Sequence, residues 1–152
     1  HSNDIPSAML LAERQIGKDR AAAIKTYEQV LAKTPDNFVV LNNLAFLALE
    51  DKKLTRAEEL AKKAVSLQRE NADAADTLAQ IYIAKGDKAA ALKLYEEVAA
   101  RPIANDDVYL NYVSVLLELD KKALASRKLA SREFKSEAAK QRAESLKQQY
   151  GL

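Results

Sequence analysis

The 152-residue chain has no cysteine and no tryptophan, one histidine at its first position, three glycines and three prolines. Each scarcity removes a class of chemistry. Without a thiol there is no disulfide framework, no cysteine nucleophile and no thiolate zinc site, and a cysteine-free chain suits cytoplasm and periplasm equally. With histidine confined to His1, an internal Ser/His/Asp triad is unavailable, and any metal held there is adventitious. No glycine-rich phosphate loop or metal-ligand spacing occurs, so no cofactor, no metal and no enzyme activity are expected. No run approaches the roughly 18 to 20 apolar residues that span a bilayer, and the start lacks a basic then apolar secretion signal. Direct membrane insertion by this chain is therefore not expected. There is no initiator methionine, so residues 1–3 read as a possible tag or cut-site remnant and the chain as a piece of something longer.

What is present is a helical composition: 48% hydrophobic residues, rich in alanine and leucine, with 30% charged residues and few breakers. Sliding the sequence against itself gives register at a shift of 34. Asn3, Asn37, Asn71 and Asn105 form one column, Leu10, Leu44, Leu78, Tyr112 and Leu146 a second, and Ala23, Ala57, Ala91 and Ala125 a third. Each unit reads as two helices. In the second, Leu41, Leu44, Ala45 and Ala48 recur at helical spacing, and Leu54, Ala57, Leu60, Ala61 and Ala64 follow after Asp51-Lys52-Lys53. Thr55 with Glu58 suggests a capping box for that second run. Gly17 and Gly86 fall at the break between runs, where positive φ closes a helix, and Asp19 and Asp87 are N-cap candidates.

These residues resemble the tetratricopeptide repeat family, a 34-residue helix hairpin. The third unit carries the pattern best, with Leu78, Ala79, Tyr82, Gly86, Asp87, Ala91 and Tyr95. In the second, Ala48 stands for the Tyr and Lys52 for the turn Gly; in the fourth, Asp120-Lys121 replaces Gly-Asp and Arg132 enters a small-residue column. The resemblance implies an all-α, right-handed superhelical solenoid of four hairpins, 4–37, 38–71, 72–105 and 106–139. A C-terminal capping helix over 136–150 follows from the apolar stripe Ala139, Ala143, Leu146 and Tyr150. At the front, Ile5, Met9 and Leu10 begin a unit directly, which leads us to expect further repeats upstream in a longer parent, or self-association through this uncapped repeat.

In such arrays the first helices line a concave face, and the family's mid-helix Asn, just before the Leu, often binds a peptide backbone. The resemblance places Asn43 and Asn111 in that role, with Asn42, Phe46 and Leu49, then Asp73, Asp76, Gln80 and Ile83, then Leu110, Ser114 and Leu117, as the other groove residues. The alternative is that the amides bridge groups within the array. The inner positions lack the Lys and Arg of a carboxylate clamp, so a ligand with apolar side chains and a cation fits better. Residues 121–152 carry 9 Lys plus Arg against 3 Asp plus Glu, net +6, and the other 120 carry 15 against 19, net −4. With no interleaved aromatics the basic end reads as a solvated cap, and nucleic acid is not expected. Glu58-Glu59 and Glu96-Glu97 read as solvated outer faces.

The function these features indicate is a non-catalytic scaffold holding a protein or peptide segment in its groove, the alternative being a structural spacer or oligomerisation segment. The stretch Val40 to Leu47, with Ala61-Lys62-Lys63-Ala64-Val65 and Ala74 to Ala79, is similar to the C-terminal repeats of bacterial multi-repeat lipoproteins associated with exosortase and exopolysaccharide systems. That likeness would imply an envelope-located, lipid-anchored parent; without it, cytoplasm and periplasm stay open.

Overall fold

The computed structural model describes residues 4–152, and every regular element among them is an α-helix. The helices are α1 Ile5–Ile16, α2 Arg20–Lys33, α3 Phe38–Glu50, α4 Leu54–Leu67, α5 Ala72–Ala84, α6 Lys88–Val98, α7 Asp106–Glu118, α8 Lys122–Ala130 and α9 Glu137–Tyr150. None is long and apolar enough to cross a membrane. The chain forms two compact units, His1–Arg69 and Glu70–Leu152. In the first, hairpins α1/α2 and α3/α4 stack through α2 against α3. In the second, hairpins α5/α6 and α7/α8 stack through α6 against α7, and α9 packs on α7 and α8.

The 34-residue columns have direct physical meaning. Ala23, Ala57, Ala91 and Ala125 are all 0% exposed, because a methyl side chain is what lets paired helices approach closely. Leu44, Leu78 and Tyr112 are each 3% exposed, so the column of large residues is buried in the second, third and fourth hairpins, and Leu146 on α9 is half-buried. The Asn column caps the first helices: Asn37, Asn71 and Asn105 accept from the backbone N–H of Val40, Ala74 and Val108 at 3.2, 3.1 and 3.4 Å. Asn3 lies outside the described residues, and α1 is capped by Asp4. Asp19 and Asp87 cap α2 and α6, each accepting at 3.0 Å. The expected Thr55 capping box does not form. α4 starts at Leu54 behind Lys53, which makes no side-chain cap, and Thr55 sits inside the first turn.

The hairpin turns follow the register more closely than residue type suggested. Lys52, Gly86 and Asp120 stand 34 apart and share left-handed backbone, with φ of 59°, 87° and 60°. Behind each, a six-to-one bond closes the preceding helix, from Lys53 N–H to the Ala48 carbonyl, Asp87 to Tyr82 and Lys121 to Leu116, at 2.9, 2.8 and 2.8 Å. Gly17, by contrast, sits at φ −85°, so its freedom is not used. Two hairpins thus hold a β-carbon where glycine is relaxed.

The fourth hairpin departs from the pattern. α8 has only nine residues, because the chain leaves the helix at Ser131 and the Arg132 side chain turns back. Its guanidinium donates to the carbonyls of Ile103 and Ala104 and to Asp106, and lies 4.3 Å from the Tyr109 ring centroid. Phe134 is buried beside it, edge-on to Tyr109. Arginine in a small-residue column therefore ends the helix.

Two outcomes follow for urea denaturation. Lys52→Gly or Asp120→Gly should raise stability by about 0.5–1 kcal/mol, relief of left-handed strain outweighing glycine's entropy. Ala57→Leu should lower it by about 1–3 kcal/mol by overpacking the α3/α4 contact.

Candidate functional site

In the first unit the expected groove residues lie on α3. Phe46 is 49% exposed and Val39, seven residues before it, 44% exposed. Asn42 and Leu49, both half-buried, complete one stripe at spacings of three, four and three. The Asn42 Oδ1 is buried with no hydrogen-bond partner among protein groups. Val39 was missed in the sequence reading, although the same helix geometry puts it in line. Asn43 does something else: its Nδ2 donates to the hydroxyl of buried Tyr27, at 3.2 Å, tying α3 to α2. Burial pushes the Tyr27 phenol above its ordinary range.

In the second unit the expected residues are brought together and then consumed. Asp76 on α5 accepts from the Tyr95 hydroxyl of α6 at 2.5 Å and from Asn111 Nδ2 of α7 at 3.0 Å. Gln80 Nε2 donates to the same Tyr95 oxygen at 2.9 Å, and Asn111 Oδ1 accepts from Arg142 Nη2 of α9 at 2.6 Å. One chain of bonds thus links four helices. Burial is the largest influence on Asp76 and raises its carboxyl above the ordinary range, against the hydrogen bonds from Tyr95 and Asn111. Burial and the Asp76 charge push Tyr95 far upward.

Three expectations are corrected here. Leu110 and Leu117 were read as groove lining, but they are 0% and 3% exposed and belong to the core, because α7 is covered on several sides. Asn111 was read as a holder of peptide backbone, but both ends of its amide are engaged by Asp76 and Arg142. Ser114 bonds its own helix at the Leu110 carbonyl, and Ile83 packs half-buried against the core. Asp73 remains exposed, with a 3.4 Å bond from Asn105.

Part of the charge at the C-terminal end is engaged internally. Arg132 pairs with Asp106, Lys140 with Glu137 and Lys147 with Glu144, while Lys128 lies 4.8 Å from the Tyr112 ring centroid. The Asp106 carboxylate also accepts the Lys135 backbone N–H at 2.9 Å. That bond and the Arg132 guanidinium hold its carboxyl below the ordinary range.

The hairpin grammar, alanine columns and left-handed turns meet in the comparisons with known proteins. Two family profiles, both described as tetratricopeptide repeat, match residues 17–81 and 71–101. The chain belongs to the tetratricopeptide repeat family. Among solved structures, the tetratricopeptide chain is similar to MamA, with a TM-score of 0.70 at 22% identity over 86% of this chain and 72% of that one. A tetratricopeptide repeat protein from Parabacteroides merdae gives 0.76 at 18% identity over 97% of this chain and 60% of that one. YrrB, described as having an unusual peptide-binding site, gives 0.62 at 22% identity over 68% and 54%. At these identities the likeness establishes the fold. No curated protein matches the chain. Tetratricopeptide arrays serve as protein-interaction scaffolds, and that is the class of this chain.

The Asp106 cluster yields a pH dependence. A carboxyl held below its unfolded value contributes stability above about pH 4, the unfolded aspartate range, and loses it as pH falls through the folded value. Asp106→Asn should therefore destabilise the protein at pH 7 and flatten the decline of its urea midpoint between about pH 4 and 2. Arg132→Ala, which removes the partner from a mostly buried pair, should cost about 2–4 kcal/mol at pH 7.

Proposed function

We propose that this chain is a non-catalytic scaffold that holds an extended partner segment on the α3 stripe of its first unit. The observation carrying this reading is that Phe46 and Val39 stay about half exposed on one helix face while the other α3 apolar residues are largely covered. Asn42 between them keeps an amide oxygen that no protein donor meets. Apolar side chains at this spacing suit an extended segment that buries alternate side chains against the stripe. The second unit spends the corresponding residues on its own bonds, so the ligand surface we assign is Asn42, Phe46 and Leu49 with Val39. Asn43 supports it from behind through Tyr27.

A second copy of the chain is favoured as an additional partner by Leu10 and Leu11, 49% and 50% exposed on α1. Leu10 shares its column with Leu44, Leu78 and Tyr112, all of which are buried. Sedimentation analysis of Leu10→Ser with Leu11→Ser should show less self-association than the parent chain; equal association would remove this face from the account.

Peptides selected by display on the folded chain provide the ligand test. Phe46→Ala should weaken them roughly 3- to 10-fold, the loss of about 0.7–1.5 kcal/mol from burying the half of the side chain that is exposed. The exposed pair Glu96→Ala with Glu97→Ala on α6 should leave affinity alone. Asn43→Ala should lower stability, and its effect should be non-additive with Tyr27→Phe in a double-mutant cycle. Selected peptides that map to α6 and ignore Phe46 would place the ligand surface elsewhere.

A further inference from the structure

Within the first unit, α2, α3 and α4 leave a pocket of about 90 Å³ with Ile24, Leu44, Leu47, Ala48 and Leu60 among its walls. Its origin lies in the repeat register. Shifted by 68 residues, the same junction of α6, α7 and α8 is built with Leu116 in place of Ala48, Tyr112 for Leu44, Leu119 for Asp51 and Leu124 for Arg56. Leu116 is 0% exposed there, so the second unit fills with side chain the space that the first leaves empty. The mouth is polar. Arg56 reaches across from α4 to both carboxylate oxygens of Glu28 on α2 at 3.2 Å, and Asp51 receives Arg20 at 2.9 Å.

We propose that this pocket receives one aromatic side chain, phenylalanine or tyrosine, projected from a partner protein. The volume is below the roughly 150 Å³ of a closed apolar cavity that holds benzene, and the pocket opens at its rim, so a ring enters end-on with its main chain outside. A ring is preferred to an aliphatic group because Arg56 sits at the mouth. Its Nη2 donates to Glu28 and its Nη1 to Glu59 in the guanidinium plane, and with the side chain 41% exposed a flat face can meet a ring. The protein already uses this arrangement at Arg132, which bonds Asp106 while lying over the Tyr109 ring. A side chain carried by a partner adds flanking contacts to the binding of the ring itself. The proposal goes beyond the α3 stripe and does not depend on it.

The test uses the full chain with p-cresol, the tyrosine side-chain analogue, followed by methyl NMR, and a display selection for peptides that displace it. We expect p-cresol to shift the Ile24, Leu44, Leu47 and Leu60 methyl signals saturably. Ala48→Val should weaken and Ala48→Leu abolish that binding, with urea midpoints no lower than the parent's. Displacing peptides should carry a phenylalanine or tyrosine, and should lose at least 10-fold in affinity on Ala48→Leu or when that aromatic becomes leucine. No saturable shift would overturn the proposal, as would lower midpoints for both Ala48 variants, which would mean there is no free space. Saturable p-cresol binding that no peptide displaces would overturn the partner assignment in favour of a small aromatic molecule. Phe46→Ser should leave p-cresol binding unchanged, so failure of the α3 reading and failure of this one are separable.

Discussion

Everything in this chain depends on how closely two helices approach when the side chain between them is a methyl group. Ala23, Ala57, Ala91 and Ala125 have no exposed surface, and each marks the point where the second helix of a hairpin meets the first. Close approach brings many weak dispersion contacts into range at once, and it leaves the larger residues of the other column to fill the space against the neighbouring hairpin. A single hairpin cannot satisfy both surfaces, which is why stacking and folding are one process here.

The fold was legible because repetition multiplies weak signals. One asparagine before a helix says little, but three at a spacing of 34, each capping a first helix, fix where those helices begin. The turns were legible by register and misleading by residue: Lys52 and Asp120 take left-handed backbone because six-to-one bonds demand it, whereas Gly17 does not. The site was harder. Leu110 and Leu117 sit on a helix apolar on most faces, so periodicity alone could not say which of them were sealed. A signal for the amides was present and unread, since Tyr27 stands 16 residues before Asn43 and Tyr95 16 before Asn111, while Thr77, midway between those two asparagines in the 34-residue register, has Ala61 at the same distance. Where the tyrosine is missing the asparagine is missing too, as a hydrogen-bonded pair within the array would require.

The two units divide their polar residues differently. In the second, Asp76, Tyr95, Asn111 and Arg142 satisfy one another, and a buried carboxyl is tolerated because donors surround it. In the first, a single Asn43 to Tyr27 bond serves the corresponding place and the inner face of α3 stays open. Surface that a protein leaves open is surface it can lend to another molecule. Internal satisfaction favours rigidity in Glu70–Leu152, and exposed apolar surface favours recognition in His1–Arg69.

The early end of α8 bears on how such a chain changes over evolution. Repeat arrays commonly lengthen or shorten by duplicating a unit whole, which requires that every contact a unit makes be found again in the next copy. Arg132 breaks that condition. Its partners are the carbonyls of Ile103 and Ala104, the Asp106 carboxylate and the Tyr109 ring, a private set belonging to one loop and the start of one helix. Copying the fourth hairpin alone would carry Asp106 and Tyr109 along with the arginine but leave behind the loop carbonyls of Ile103 and Ala104, so this hairpin is not an interchangeable module.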